Sequence, residues 1–171
     1  MGKADQGVRA SRERYTVIPR VLVFCLNGED VLLIKGAPTK RIWANRYNGV
    51  GGHVEAGEDV YAAALRETHE ETGLTVRDLC FCGTISIDTG QETGIMLFVF
   101  TAHCEGRETV PSAEGSLEWV PLDRIEDYDL VEDIPVLLAR IQGMSAGAPP
   151  FFARYWYDER DQLQIAFAGD G

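Results

Sequence analysis

Residues 52–74, GHVEAGEDVYAAALRETHEETGL, join a glycine-containing loop to a helical segment. Asp59 is a favourable N-cap residue, and most of the residues that follow it are good helix formers. Gly73 is the residue type that commonly ends a helix. We therefore predict a helix over residues 60–72 that begins directly after the loop.

The predicted helix carries three glutamates, Glu67, Glu70 and Glu71, spaced i, i+3 and i+4. This spacing places their carboxylates within an arc of about 100° on one face. Carboxylates this close repel one another, so their expected partner is an opposite charge or a hard cation. An isolated cluster of this kind also occurs on solvated helix faces, so these three residues alone leave both interpretations open.

The residues around the glutamates predict how the helix packs. Arg66 flanks them and can hold a carboxylate in a bidentate ion pair. Ala63 lies one turn earlier on the same stripe and leaves room for a bulky anion. The adjacent face is predicted to pack on a sheet through Tyr61, Ala64, Leu65 and Thr68.

The composition is that of a single acidic domain. The chain has 171 residues, of which 45% are hydrophobic, and a formal net charge of -11. So acidic a chain is not expected to bind long nucleic acids, although a metal ion can supply positive charge for a small phosphorylated substrate. We predict a flexible arm at residues 1–14, one domain at 15–168 and a flexible tail at 169–171.

The location of the protein is predicted from its first residues and its cysteines. Residues 1–14 are polar and contain no apolar core, which argues against a signal peptide or a membrane anchor. We therefore expect a cytoplasmic protein that does not associate with membranes. The four cysteines lack Cys-x-x-Cys spacing, so we expect reduced core thiols without a zinc or redox motif.

The remaining segments predict a mixed β-sheet between helices. Asn27-Gly28 separates two runs rich in β-branched residues and indicates a hairpin. A second helix is predicted at residues 133–142, where apolar residues recur at helical spacing. The predicted strands cover residues 15–26, 31–34, 47–50, 74–87, 95–104, 117–121, 151–157 and 163–167.

A basic loop at residues 35–46 is unusual in so acidic a chain. Lys35 is the residue of this loop that we expect to contact a phosphate or a base. The alternative is that Lys35 and the other basic residues of the loop are simply solvated.

The glycine loop and the acidic helix are parts of a longer pattern. Gly52 is followed after five residues by Glu58, after seven more by Arg66-Glu67, and then by Glu70-Glu71 and Gly73-Leu74. This pattern resembles the Nudix box of the Nudix hydrolase family, although Thr68 stands at a packing position where the family prefers a bulky aliphatic residue. The resemblance implies an α/β/α sandwich with a mixed sheet. It also implies hydrolysis of a diphosphate bond in a nucleoside diphosphate linked to another group.

The resemblance further implies a role for each matching residue. Carboxylates and one backbone carbonyl would hold one to three Mg²⁺ or Mn²⁺ ions, with the ligands drawn from Gly52, Glu67, Glu70, Glu71 and Glu114. Glu70 or Glu71 would accept a proton from the attacking water. Glu58 and Arg66 would fix the loop against the helix. Glu114 lies where related enzymes bring in a further acid, and its alternative role is that of a solvated loop residue.

Two further segments extend the resemblance to a subgroup. Residues 46–52, RYNGVGG, and 130–133, LVED, are similar to Nudix enzymes that hydrolyse oxidised purine nucleoside triphosphates such as 8-oxo-dGTP. That subgroup produces a nucleoside monophosphate and pyrophosphate. Asn48 can offer a donor and an acceptor to a base, and the adjacent Glu132 and Asp133 can retain a proton through mutual repulsion. Alternatively, Asp133 is only an N-cap and Glu132 a solvated loop residue.

Two other functions fit parts of the pattern. The box alone also permits hydrolysis of ADP-ribose or another nucleoside diphosphate derivative. A more distant reading is an isomerase of isopentenyl diphosphate or a non-catalytic nucleotide-binding regulator. The isomerase needs a reactive cysteine in the site, and a regulator would usually have lost box acids, whereas all three helix glutamates are present.

Overall fold

The computed structural model of the protein describes residues 14–170. Residues 1–13 of the predicted arm and Gly171 of the predicted tail lie outside this range. The strands of the described part are β1 (Thr16–Asn27), β2 (Asp30–Gly36), β3 (Tyr47–Asn48), β4 (Val76–Ile87), β5 (Thr93–Cys104), β6 (Gly115–Pro121), β7 (Phe151–Tyr157) and β8 (Leu163–Phe167). Its α-helices are α1 (Val60–Thr72) and α2 (Ile134–Gln142), and a 3₁₀ helix covers Leu122–Asp127.

The strands form one mixed sheet. Their order is β3-β2-β1-β5-β4-β7-β8, and β6 pairs with β2. The pairs β1/β5 and β4/β7 are parallel. The antiparallel pair β1/β2 is the hairpin that the sequence predicted, and β7/β8 is a second antiparallel hairpin. The long parallel pairing of β1 with β5 lies in the interior of the sheet, with β2 beside β1 and β4 beside β5.

β1 contributes to the hydrophobic core on both faces of the sheet. Val21 packs in the cluster that contains Ala63 of α1, whereas Leu22 and Phe24 pack in the cluster that contains Leu137 of α2. Successive side chains of a strand point to opposite faces, so the apolar run of β1 fills both cores. The sheet therefore lies between the two helices, which confirms the predicted α/β/α sandwich.

The glycine loop is held against β1 by backbone hydrogen bonds. Val23 N donates to Val50 O at 2.7 Å, and Val21 N donates to Gly52 O at 2.9 Å. The pairing continues as an isolated bridge between Arg20 and His53. β1 thus fixes the loop, and the loop in turn fixes the start of α1.

α1 has the caps that the sequence predicted. Asp59 Oδ1 accepts hydrogen bonds from the backbone N–H groups of Tyr61 and Ala62. Gly73 adopts a left-handed conformation with φ 73° and donates its N–H to His69 O at 2.8 Å. Because glycine has no Cβ, it reaches this φ without steric strain.

Two packing predictions for α1 are wrong. Tyr61 and Leu65 are 51% and 37% exposed, so they do not pack on the sheet. Ala63, expected to border space for an anion, is fully buried against the sheet. The buried residues of α1 are all small, which shows that the helix axis lies close to the sheet: they are Ala63, Ala64, Thr68 and Thr72.

Three other differences from the sequence predictions are local. Cys80 is exposed, in contrast to the other three cysteines, because the register of β4 against β5 shifts on both sides of it. The 3₁₀ helix was not predicted, and Asp170 of the predicted tail forms an ion pair with Arg140 at 3.0 Å. No helix within residues 14–170 is long and apolar enough to cross a membrane.

Candidate active site

A cavity of about 430 Å³ opens between the glycine loop, the sheet and residues 131–133. It brings together residues from distant parts of the chain, including α1, β1, β7 and two surface loops. The predicted site residues that line it are Asn48, Gly52, Glu67, Glu71, Glu114, Glu132 and Asp133. Glu58, Arg66 and Glu70 do not line the cavity, but Arg66 donates hydrogen bonds to Glu58, Glu70 and the lining residue Glu67.

Arg66 connects the glycine loop to the glutamates of α1. Its Nη2 and Nε donate to the two carboxylate oxygens of Glu58, at 2.7 Å and 3.1 Å, and Nη2 also donates to His53 O at 3.0 Å. Its Nη1 donates to Glu67 Oε1 at 3.0 Å and to Glu70 Oε2 at 3.1 Å. The bidentate hydrogen bond from Arg66 lowers the pKa of Glu58, so this carboxylate stays ionised.

The two glycines of the loop make room for the carboxylates. Gly51 N donates to Glu71 Oε2 at 3.1 Å. A Cβ on Gly52 would lie within 2.4–2.6 Å of the Glu67 carboxylate. The absence of side chains here therefore allows the loop backbone to contact the acids of α1 directly.

The surroundings of Glu71 disfavour its anionic form. Burial raises its pKa to about 7, and the charges of Glu67 and Glu114 contribute to the rise. The hydrogen bond from Gly51 acts in the opposite direction and does not cancel the effect of burial. In the metal-free protein, Glu71 is thus partly protonated near neutral pH.

The donor set at this end of the cavity fits a hard divalent cation. Within residues 14–170, no three acidic, histidine or cysteine side chains form a ready-made metal cage, and Arg66 contacts both Glu67 and Glu70. The available donors are nevertheless carboxylate oxygens and the Gly52 carbonyl, which keeps one lone pair beside its bond from Val21 N. The close approach of the Glu67 carboxylate to Gly52 brings two kinds of oxygen donor together, and a cation would relieve the unfavourable ionisation of Glu71.

Glu114 lies across the cavity from α1 and is paired with a lysine. Lys40 Nζ forms a salt bridge with Glu114 Oε2, and Ala37 N donates to Glu114 O at 3.0 Å. These contacts tie the loop at residues 37–46 to the loop that precedes β6. Lys40, rather than Lys35, is the lysine of the basic loop that reaches the cavity.

Lys35 does not reach the cavity. Its ammonium group lies 5.2 Å from the centre of the Tyr47 ring, in a cation–π contact. It lines a separate shallow depression with Pro38 and Asn45. The sequence could not distinguish the two lysines, because the direction of each side chain depends on how the loop folds.

Asn48 and Asp133 also line the cavity. The Asn48 side-chain oxygen accepts a hydrogen bond from Gly49 N at 2.8 Å, which leaves its amino group available. Burial raises the pKa of Asp133 to about 6, and the charge of Glu132 adds a smaller contribution. A hydrogen bond from Arg46 lowers the pKa of Glu132, so the two carboxyl groups differ mainly in burial and in their partners.

Two findings bear on the alternative roles of Glu132 and Asp133. Asp133 occupies the N-cap position of α2, but its side chain makes no capping hydrogen bond. Glu132 forms an ion pair with Arg46 at 2.6 Å although its side chain is 58% exposed. Asp133 therefore does not act as a side-chain cap, and Glu132 is not simply solvated.

Tyr155 is a cavity residue that the sequence analysis missed. Its side chain is only 2% exposed, and within residues 14–170 its hydroxyl has no hydrogen-bond partner. Burial raises its pKa, with a further contribution from Asp133. A tyrosine in a predicted strand usually packs in a core, so no local pattern distinguished it.

Comparison with known proteins identifies the family. Residues 17–141 match the model of the NUDIX domain. The chain is 37% identical over 125 residues to an oxidized purine nucleoside triphosphate hydrolase of Mus musculus, a match that covers 70% of this chain and 78% of the mouse protein. It is 36% identical over 105 residues to a protein of the same name from Danio rerio, covering 61% and 66% of the two chains.

The fold also matches solved structures. A MutT protein from Bacillus halodurans superposes with a TM-score of 0.74 and 24% sequence identity, over 90% of this chain and 99% of the other. The domain match, the identity to the mouse protein and the shared fold agree with the loop, helix and acid cluster described above. The chain belongs to the Nudix hydrolase family, whose members act on pyrophosphate bonds.

Proposed function

We propose that the protein hydrolyses oxidised purine nucleoside triphosphates to the nucleoside monophosphate and pyrophosphate. One observation carries this proposal. A single cavity contains both the acidic face of α1 and a group of side chains that have hydrogen-bonding capacity left unused. Its lining includes Glu67 and Glu71, which we call the acidic end, together with Asn48, Asp133 and Tyr155, which we call the purine end. The name of the similar mouse enzyme supports the same substrate class.

The acidic end is the site of the reaction. Glu67, Glu70 and Glu71, with the Gly52 carbonyl and Glu114, would hold Mg²⁺ or Mn²⁺. Such ions supply positive charge to phosphate oxygens and lower the pKa of a bound water. A carboxylate that does not hold an ion would accept the proton of the attacking water. The two candidates are Glu70, which is the more exposed, and Glu71, which has the raised pKa.

The residues behind the acids hold them in place. Arg66 links Glu58 to the backbone of His53 and to two glutamates of α1, so it fixes the loop and the helix as one unit. This role requires both the charge and the planar shape of its guanidinium group.

The other end of the cavity is suited to the edge of an oxidised purine. The Asn48 amino group and the Tyr155 hydroxyl are potential donors. Asp133, with a pKa of about 6, accepts a hydrogen bond when it is ionised and donates one when it is protonated. Oxidation at C8 changes which purine atoms donate and accept, so this combination of groups can distinguish the oxidised base.

A comparison of substrates tests the proposal. We would measure kcat/KM with Mg²⁺ for canonical and oxidised purine nucleoside triphosphates, ADP-ribose and dinucleoside polyphosphates. The expected result is the highest value for an oxidised purine triphosphate. A higher value for ADP-ribose would overturn the proposed substrate class and leave the family assignment intact.

Variants at the purine end test base recognition separately from catalysis. In Asp133→Asn, which cannot change its protonation, we expect kcat/KM for the oxidised purine triphosphate to fall about tenfold or more, or roughly 1–3 kcal/mol. Asn48→Ala should show the same selective loss. Turnover of small generic diphosphates should stay unchanged. An equal loss on all substrates would show that these residues support the loop instead of contacting the base.

A further inference from the structure

Arg20 lacks the ion pairs that other arginines of this chain make. Within residues 14–170 it has no ion pair and no side-chain hydrogen bond, and its Nε is buried without a partner. Many other arginines of the described part contact a carboxylate, including Arg46, Arg66, Arg77, Arg107, Arg124, Arg140 and Arg154. A half-buried, unpaired arginine is unexpected in a chain with a net charge of -11.

The position of Arg20 is set by β1 and the glycine loop. Its backbone forms an antiparallel bridge with His53, the residue after Gly52. Arg20 and His53 both line the cavity, and paired residues of an antiparallel bridge project to the same side. A Cβ on Gly52, the residue before His53, would lie 2.4–2.6 Å from the Glu67 carboxylate, so the backbone bridge of Arg20 lies next to the acidic end of the cavity.

The unpaired state of Arg20 has an energetic consequence. A buried donor without an acceptor is unfavourable, and an uncompensated positive charge adds to the cost. Arginine presents a planar fork of donors that matches the geometry of phosphate oxygens. A neutral purine edge could accept a hydrogen bond from this fork, but only an anion would also compensate the charge.

We propose that Arg20 binds the phosphate chain of the nucleotide where it leaves the acidic end of the cavity. This assignment deepens the proposed function and rests on it. Arg20 is a phosphate-binding residue with no part in proton transfer. Its positive charge is available to the phosphate chain. The charges of Arg46 and Lys40 are less available, because both residues are already paired with carboxylates.

Binding measurements with three probes test this assignment. We would titrate wild type, Arg20→Gln and Arg20→Met with inorganic pyrophosphate, dGMP and deoxyguanosine in the presence of Mg²⁺. Arg77→Gln is the matched control, because it removes the same charge from an exposed arginine outside the cavity. The expected result is a loss of about tenfold to a hundredfold in affinity for pyrophosphate or dGMP in both Arg20 variants. Deoxyguanosine affinity, and all affinities of Arg77→Gln, should match wild type.

Two binding outcomes would overturn the assignment. Unchanged affinity for both anions in the Arg20 variants would show that no phosphate contacts this residue. An equal loss of affinity for deoxyguanosine would show that Arg20 contacts the nucleoside.

Thermal unfolding temperatures distinguish phosphate binding by Arg20 from a purely structural role. In the absence of ligand, Arg20→Met should unfold at the same temperature as wild type or higher, because it removes an unsatisfied charge. The stabilisation produced by pyrophosphate should be smaller in the variant than in wild type. A lower unfolding temperature combined with unchanged pyrophosphate affinity would make Arg20 a structural residue and overturn the assignment.

The test separates this assignment from the proposed function. If wild type does not cleave oxidised purine triphosphates but Arg20→Gln loses pyrophosphate affinity, the proposed substrate is wrong and the anion site stands. If wild type cleaves them and Arg20→Gln binds both anions normally, the proposed function stands and the Arg20 assignment fails.

Discussion

At the residue scale, the position of Glu71 disfavours its ionised form, although the proposed function needs its charge. Its carboxyl group is partly buried beside Glu67, and its pKa is raised to about 7. The adjacent Thr68 shows the opposite case, because its buried hydroxyl donates to Ala64 O at 2.8 Å and is fully satisfied. Thr68 is thus a buried polar residue with a hydrogen-bond partner, whereas the ionisation of Glu71 is unfavourable and a bound cation would relieve it.

Glu71→Gln tests the role of this carboxylate in turnover. The variant keeps the shape of the side chain and its ability to accept from Gly51 N, but it removes a charge that would bind the cation. We expect kcat to fall by about a hundredfold or more at saturating Mg²⁺. Unchanged turnover under these conditions would remove Glu71 from the site.

The raised pKa of Glu71 also predicts how the stability of Glu71→Gln, relative to wild type, depends on pH. The folded-state pKa of Glu71 is raised above its ordinary value of 4.5, so its contribution to stability is complete below about pH 4.5 and is lost as the pH rises through about 7. With a chelator present, Glu71→Gln should therefore be more stable than wild type at pH 8, by roughly 1–3 kcal/mol. The difference should vanish near pH 4.5. Denaturant unfolding at several pH values measures it, and a difference that does not change with pH would contradict the shifted pKa.

At the element scale, the contact between the glycine loop and β1 determines where the acids of α1 lie. A Cβ on Gly51 would lie 2.1 Å from Val21 O, an atom of the β1 backbone that cannot move away easily. The loop would have to separate from β1, and the hydrogen bonds of Gly51 and Gly52 would weaken.

Gly51→Ala is therefore expected to lower both stability and activity. We predict a loss of about 1–3 kcal/mol in the free energy of unfolding, with a lower kcat because Glu71 loses its backbone partner. Gly106→Ala is the control, since a Cβ there meets no atom within 4 Å, and its effect should stay within about 0.5 kcal/mol. Equal effects of the two substitutions would show that the close approach of Gly51 to β1 does not matter for stability or activity.

The sequence predicted the elements better than the way they pack. The strands, the first hairpin and the limits of α1 followed from local signals such as Asp59, Gly73 and the Asn27-Gly28 turn. The buried face of α1 did not, because its close approach to the sheet favours Ala63 and Ala64 over the larger Tyr61 and Leu65. Hydrophobicity alone does not reveal the distance between a helix and a sheet.

At the scale of the whole molecule, the fold assembles one cavity from segments far apart in the chain. The acid cluster was predictable because all three glutamates lie on one helix. Tyr155, Arg20 and the direction of Lys35 were not, because they depend on tertiary contacts between β1, β7 and the basic loop. The sequence thus predicts the acidic end of the cavity more fully than the end that we propose to contact the base.

The most direct test of the account is to identify the phosphorus products formed from 8-oxo-dGTP and Mg²⁺. The account predicts equal amounts of 8-oxo-dGMP and pyrophosphate, with a kcat/KM at least about tenfold above that for dGTP. Chromatography separates these products from the diphosphate and orthophosphate that cleavage at the terminal phosphate would give. Release of orthophosphate, or no cleavage of 8-oxo-dGTP by a protein that cleaves ADP-ribose, would contradict it.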